Sequence, residues 1–334
     1  MDQLSAHLDR SWDLVSKGET TQALVSARRA LDLNGDAPEV HNLLGYIYAV
    51  DGDYDEALAC YRRALELDEW YLDPMLNAAE ILVNPEADPE EAIRLCRMAL
   101  EVASTPEEMT DASLIEIEAL MNLARVDEAA LRLAEVGSAE ALSPPYLVLV
   151  GRLHYEMGNM VEAKRFSEKA LAADDTLPDA WYYAGLVARD EGRRIDAVVA
   201  FLATRERDLA MASPPWTASR PSLGESVTKA LEALPSDALA MLDGSTILIE
   251  PYPSERQIRD EMDPRQVVLV EGVDPARRVF EKLWVFSRNV ERAVPTAASL
   301  AADLAYFIER EVTTSRGEDA ADGPEEPDRG AGRV

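Results

Sequence analysis

Few side chains in this chain have the reactivity for catalysis or metal binding. It carries three histidines, two cysteines and many carboxylates, spread over 334 residues. His7, His41 and His154 stand far apart. A zinc site needs three or four ligands converging on one ion, so packing or surface roles are expected for all three. Cys60 and Cys96 form neither a redox pair nor a secreted disulfide framework. Each is expected to act as a small buried hydrophobe. The acidic pairs Glu90-Glu91 and Asp174-Asp175 fall at helix starts or turns, where a carboxylate complements the helix dipole. Near the C-terminus, Ile308-Glu309-Arg310-Glu311-Val312 sets a carboxylate between branched apolar residues. The expectation is no catalytic residue, no metal and no cofactor.

The charge balance points to binding instead. Asp and Glu total 63 against 33 Lys and Arg, a formal net charge of -30. Nucleic-acid and anionic-membrane binding both need an excess of cations, so neither is expected. Basic protein partners suit this surface. Met1 to Ser16 is polar and lacks a signal-peptide core, and no run reaches the roughly 18 apolar residues of a membrane span. A cytoplasmic location is expected.

The elements that would position binding residues emerge from a repeat of 34 residues. The clearest unit runs from Pro38 to Tyr71 and contains Leu44-Gly45, Tyr48, Gly52, Ala57, Tyr61 and Ala64-Leu65. Gly45 would let two helices approach, Gly52 would make the turn, Ala57 would sit at the crossing, and Tyr61 would fill the gap between units. The frame recurs as Gly18, Ala23 and Ala30-Leu31. It recurs again as Ala78-Ala79, Leu82, Ala92, Cys96 and Ala99-Leu100, after an Asn84-Pro85 break. A weak fourth unit has Leu120, Ala124 and Ala129. A fifth has Gly151, Gly158, Ala163 and Ala170-Leu171, and a sixth has Pro178, Trp181, Gly185, Gly192, Ala197 and Phe201. These residues resemble the tetratricopeptide repeat family. The resemblance implies an α-solenoid of about six helix pairs over residues 1–212, with first helices lining a concave protein-binding face.

Projected on that frame, Trp12, Tyr46, Tyr155 and Tyr182 should face the groove as aromatic anchors. Glu39, Glu80, Asp111, Glu118 and Asp179 should join them, with Asn42, Arg152 and Arg189. Acids beside aromatics suit Lys and Arg side chains. The Lys/Asn clamp with which some family members hold an acidic peptide C-terminus has no counterpart here.

After Ala210 the pattern changes. Residues 213–220, rich in Pro and Ser, read as a linker. Residues 221–313 read as a small α+β domain. Its expected helices are Ser222 to Leu234, Ser254 to Met262 and Pro295 to Val312; its expected strands are Ser245 to Glu250, Gln266 to Val270 and Lys282 to Phe286. Residues 314–334 have the composition of a disordered acidic tail. The stretches Lys229 to Pro235, Ile249 to Pro253 and Leu283 to Asn289, in this order, resemble the small MMP-like predicted zinc-protease family, the minimal zincins. The resemblance implies a His-Glu-x-x-His helix at residues 308–312. Here Ile308 and Val312 stand at both histidine positions and only Glu309 matches. No histidine follows His154, so a catalytically inactive domain is expected, with Ile308 and Val312 packing onto the strands at Ile247, Ile249 and Val268. The leading reading is a cytoplasmic scaffold or adaptor that binds a protein or peptide with a basic segment. A regulatory subunit of a cytoplasmic machine and a hydrolase with a non-histidine active site are the alternatives.

Overall fold

The computed structural model describes residues 3–84, 87–137, 142–212, 217, 219–274, 279–294 and 299–321. It divides into two compact units, Met1–Glu191 and Gly192–Val334.

The first unit is all helix. First helices α1 (Gln3–Ser16), α3 (Pro38–Asp51), α5 (Leu72–Leu82), α7 (Pro106–Asn122), α9 (Pro144–Glu156) and α11 (Pro178–Asp190) alternate with second helices. These are α2 (Thr20–Leu33), α4 (Tyr54–Leu67), α6 (Pro89–Val102), α8 (Val126–Gly137) and α10 (Met160–Ala173). Proline opens α3, α9 and α11 at the first turn, where its missing N–H has no helical partner to lose. Each second helix buries a narrow stripe that includes alanine. On α4 the stripe is Ala57, Tyr61 and Ala64; on α10 it is Ala163, Phe166, Ser167 and Ala170. That spacing follows one face of a 3.6-residue period. α1, α3, α5, α7 and α9 each pack on their own second helix and also beside the next first helix, which gives two layers.

The turn residues explain why the fourth repeat is hard to read. Gly52 closes α3 in the left-handed region at φ 85°. Ala124 holds the equivalent turn after α7 at φ 56° without being glycine. Side chains disfavour that region by about 1–2 kcal/mol, so the fourth repeat lacks the usual signal while keeping the shape. Across α6, α7 and α8 the core contains one charged group. Glu116, almost fully buried, accepts from Arg97 Nε at 2.8 Å and pairs with Arg132 Nε at 2.9 Å. Cys96 is buried beside it, and burial pushes its thiol pKa up to about 12. Such a thiol stays protonated and inert.

The second unit begins with α12 (Arg194–Ala210). The repeat frame assigns this helix to the array, whereas its packing assigns it to the C-terminal unit. Asp208, fully buried, pairs with Arg265 Nε at 3.3 Å and with Arg292, and its carbonyl accepts from the Tyr252 hydroxyl at 2.9 Å. Arg205 Nε donates to the Pro253 carbonyl at 2.7 Å. A buried carboxylate needs its cations close, and those cations lie in the second unit. The compact division therefore falls before α12, ahead of the 213–220 linker, most of which lies outside the described residues.

After α13 (Arg220–Ala233) and α14 (Ser236–Met241) come β1 (Thr246–Glu250), α15 (Glu255–Arg259), β2 (Val268–Asp274) and β3 (Val279–Phe286). The chain then forms α16 (Ser287–Ala293) and α17 (Leu300–Ala321). The sheet order is β1-β3-β2, with β1 parallel and β2 antiparallel to β3. Ser254 caps α15 in a reciprocal capping box with Gln257. Strands β2 and β3 are longer than the residue pattern suggests, because Gly272 at φ 71° carries β2 onward and lies against Glu281. Ile308 and Val312 are buried in one cluster with Val268 and partly buried Ile249. Ile247 does not join them and is 42% exposed: it shares a face with Ile249 but sits near the start of edge strand β1. Glu309 faces solvent. Glu311 holds the second edge by accepting from Gln266 Nε2 at 3.0 Å and from the Val270 N–H at 3.4 Å. α17 continues to Ala321, past the start of the expected tail at Thr314; residues 322–334 lie outside the described residues.

Gly45 is a point of close helix approach in the array. A Cβ built there would lie 2.6 Å from Cε1 of buried Tyr61. Gly45→Ala is expected to destabilise the first unit by about 1–3 kcal/mol, the usual effect of overpacking. A lowered thermal midpoint of the helical signal checks it; an unchanged midpoint would show that the ring has room to move.

Candidate functional site

The face made by the first helices gathers most of the residues projected onto it. Trp12 on α1 and Tyr46 on α3 are partly exposed, and their rings meet at 5.1 Å between centroids, tilted by 55°. At the other end, the Tyr155 hydroxyl donates to Asp190 at 2.7 Å and its ring lies 6.1 Å from Tyr183. Tyr182 meets the same Tyr183 edge-on at 5.4 Å. Between these ends, Glu80 of α5, Asp111 and Glu118 of α7 and Arg152 of α9 line one pocket of about 300 Å³. Val83, Leu114, Ile115 and Leu149 make its apolar walls. A second pocket, about 600 Å³, adjoins it at Glu80 and is lined by Tyr46, Val50, Tyr54, Leu58, Tyr61 and Ile81 among others.

Polar contacts on this face follow the repeat period. Asn77 Nδ2 donates to Asn42 Oδ1 at 3.2 Å, 35 residues away. The Tyr146 hydroxyl donates to Asp111 at 2.7 Å, again 35 residues apart. Arg152 pairs with Glu118 across 34 residues. Equivalent positions of stacked repeats thus face one another, and where their chemistries complement they bond.

Glu80 breaks this ladder. The positions 34 residues before and after it are Tyr46 and Leu114, and neither can neutralise a carboxylate. Among the described residues Glu80 has no hydrogen bond or ion pair. Partial burial, then the nearby Asp111 charge, push its carboxyl pKa above the ordinary range. The Tyr146 hydroxyl beside Asp111 is pushed up to about 12 by burial and by its bond to that carboxylate.

Some residues behave otherwise than projected. Asn42 is buried and spends both amide atoms inside the array, donating to the Tyr71 hydroxyl at 3.3 Å and accepting from Asn77. It is a packing residue, because its position turns toward the neighbouring first helix. Glu39 is exposed in the first turn of α3 and lines neither of these two pockets. Asp179 and Arg189 sit near opposite ends of α11, outside both pockets. Arg189 Nε lies 3.6 Å from Asp190. Tyr54, Leu58 and Ile81 went unread in the sequence; they reach the second pocket from a second helix and from a helix end. No group of three or more His, Cys, Asp or Glu among the described residues is arranged to hold a metal ion.

Comparison with known proteins bears on the fold. The family model described as tetratricopeptide repeat matches residues 38–71. PilF of Pseudomonas aeruginosa superposes with a TM-score of 0.52 at 17% identity, covering 61% of this chain and 91% of that one. PilW, a type IV pilus biogenesis factor, gives 0.50 at 17% identity, covering 62% and 91%. A tetratricopeptide repeat protein from Parabacteroides merdae gives 0.51 at 15% identity, covering 61% and 78%. No curated protein sequence matches the chain.

The raised carboxyl of Glu80 has a consequence for stability. Its folded pKa exceeds its unfolded one, so the folded state holds the proton more tightly. Stability is then lost as pH rises from the unfolded value through the folded one, and above both values ionised Glu80 is a net cost. Glu80→Gln is expected to raise the thermal midpoint at pH 7, with the gain vanishing below about pH 4. Differential scanning fluorimetry across pH measures this; an equal or lower midpoint at pH 7 would contradict the assignment. Residues 38–71 match the tetratricopeptide repeat model, and the two-layer helical array shares the fold of solved tetratricopeptide arrays.

Proposed function

We propose that this chain is a protein-interaction adaptor whose first-helix face takes a basic segment of a partner protein. One observation carries the reading: Glu80, Asp111, Glu118 and Arg152, from three successive first helices, converge on one pocket with aliphatic walls. A pocket that mixes carboxylates with apolar wall suits a side chain with a cationic head and a methylene stem. Trp12 and Tyr46 add a rigid, partly exposed aromatic pair on the same face. With a net charge of -30 the chain would repel nucleic acid and anionic membranes, and no helix among the described residues is long and apolar enough to cross a membrane. These features support a protein partner, and a cytoplasmic setting is part of the proposal.

The C-terminal unit serves in this reading as a non-catalytic module of zincin-like descent. Buried Ile308 and Val312 support it, since apolar side chains cannot ligate zinc, and so does the exposed Glu309 with no imidazole near it in sequence. Two modules on one chain raise avidity through effective concentration.

Two tests apply to the full-length chain. Trp12→Ala and Tyr46→Ala should each weaken a captured partner by about 1–2 kcal/mol with the helical signal unchanged. Affinity should fall with added salt, and that slope should flatten in Glu39→Lys/Asp111→Lys. Salt-independent binding, unaltered by charge reversal, would remove the acidic-groove reading. For the C-terminal unit, elemental analysis should find no stoichiometric zinc, and a peptide library should pass through uncut. Chelator-sensitive cleavage that Glu309→Gln abolishes would make the chain an enzyme.

A further inference from the structure

The two pockets on the first-helix face share a wall, and that wall is Glu80. They differ in chemistry. The larger is mainly aromatic and aliphatic, opening between Tyr54 and Val50, which are 46% and 51% exposed, with Tyr46 and Ile81 beside them. The smaller brings Asp111 up behind Glu80. There Glu118 is already matched by Arg152, and Asp111 is already bonded by Tyr146. Glu80 alone in this row has no partner among the described residues, because its counterparts in the adjoining repeats are Tyr46 and Leu114. The array thus leaves one unmatched carboxylate at the border between an apolar hollow and an acidic one.

We propose that this border is a two-subsite reader for a short peptide motif: a bulky apolar side chain enters the Tyr46–Tyr54–Ile81 hollow while a neighbouring Lys or Arg pairs with Glu80. The inference rests on the adaptor reading and gives its partner a local sequence. One wall residue common to both hollows requires the two ligand side chains to be close together. Residues i and i+2 of an extended segment, about 7 Å apart on one face, meet that requirement. The apolar member supplies area buried away from water. The basic member supplies direction, since reversing the peptide would bring its cation to the aromatic hollow and leave Glu80 unmatched. A cation at Glu80 also relieves the repulsion between Glu80 and Asp111, so pairing recovers what the free array loses by holding two carboxylates side by side. Asp55, in the first turn of α4, also lines the larger hollow, but Glu80 alone borders both hollows; Glu118 and Asp111 already hold partners and Glu39 stands apart.

The test is a selection of random peptides displayed on phage against immobilised full-length chain, in parallel with its Glu80→Gln and Tyr54→Ala variants. Both substituted side chains are exposed enough for the fold to persist, which circular dichroism verifies. The wild-type chain should enrich peptides with a bulky apolar residue two positions from Lys or Arg. Glu80→Gln should keep the apolar preference and lose the basic one; Tyr54→Ala should do the reverse. For the best synthetic peptide, Glu80→Gln should weaken binding about tenfold, and replacing the peptide's Lys by norleucine should abolish the difference between the two chains. Peptides that bind Glu80→Gln and wild type alike would overturn the two-subsite reading and leave the adaptor reading standing. Failure to enrich any peptide, or enrichment insensitive to Trp12→Ala, Tyr46→Ala and both pocket variants, would remove both.

Discussion

The array depends on how closely two helices can cross. Each pair meets where the second helix carries alanine: Ala23, Ala57, Ala92, Ala129 and Ala163 are all fully buried. A side chain larger than methyl at these points would push the layers apart. Stacked interiors have little free volume to absorb that. With the crossing fixed, the first helices lie side by side at the same height, and residues one repeat apart face one another. The hydrogen bonds across 34 and 35 residues are the direct result. A groove with a defined row of side chains is therefore a product of small residues on the opposite layer.

The same geometry decides which charges are stored and which are offered. Glu116 points inward on α7 and is held by Arg97 and Arg132 from the flanking second helices. Glu80 points to the groove on α5 and finds tyrosine and leucine at the matching heights. One carboxylate holds three helices together, and the other remains available to a cation from outside. Buried ion pairs of the first kind are sensitive to losing either member; Asp208 with Arg265 and Arg292 is a second example, binding α12 into the C-terminal unit.

Much of this is legible in the sequence. Spacing alone located the helix pairs, the turn at Gly52 and the close helix approach at Gly45, since each follows from a period and a steric limit; that the neighbour of Gly45 is the Tyr61 ring of the same repeat emerges only in the structure. The three strands and the capping role of Ser254 were also legible, as β-branched runs and a cap motif. What escaped depends on residues far apart in sequence. Asn42 reads as a groove residue because its register is right, but its amide is consumed by Tyr71 at the end of its own repeat and by Asn77 of the next. The apolar hollow draws on Tyr54 and Leu58 of a second helix, which the frame assigns to the other layer. α12 keeps the repeat pattern but follows the pull of Arg265 and Arg292, whose approach to Asp208 no local pattern reveals. The short helices α14 and α16 carry too few turns to establish a period.

The central claim is that the first-helix face is where a partner binds. Hydrogen–deuterium exchange of the full-length chain, with and without its bound partner, addresses it residue by residue. The account predicts added protection in α3, α5, α7 and α9, strongest around Tyr46, Glu80 and Asp111, with the outer faces of α4, α6 and α10 unchanged. Protection confined to the second helices, or to the C-terminal unit alone, would contradict it.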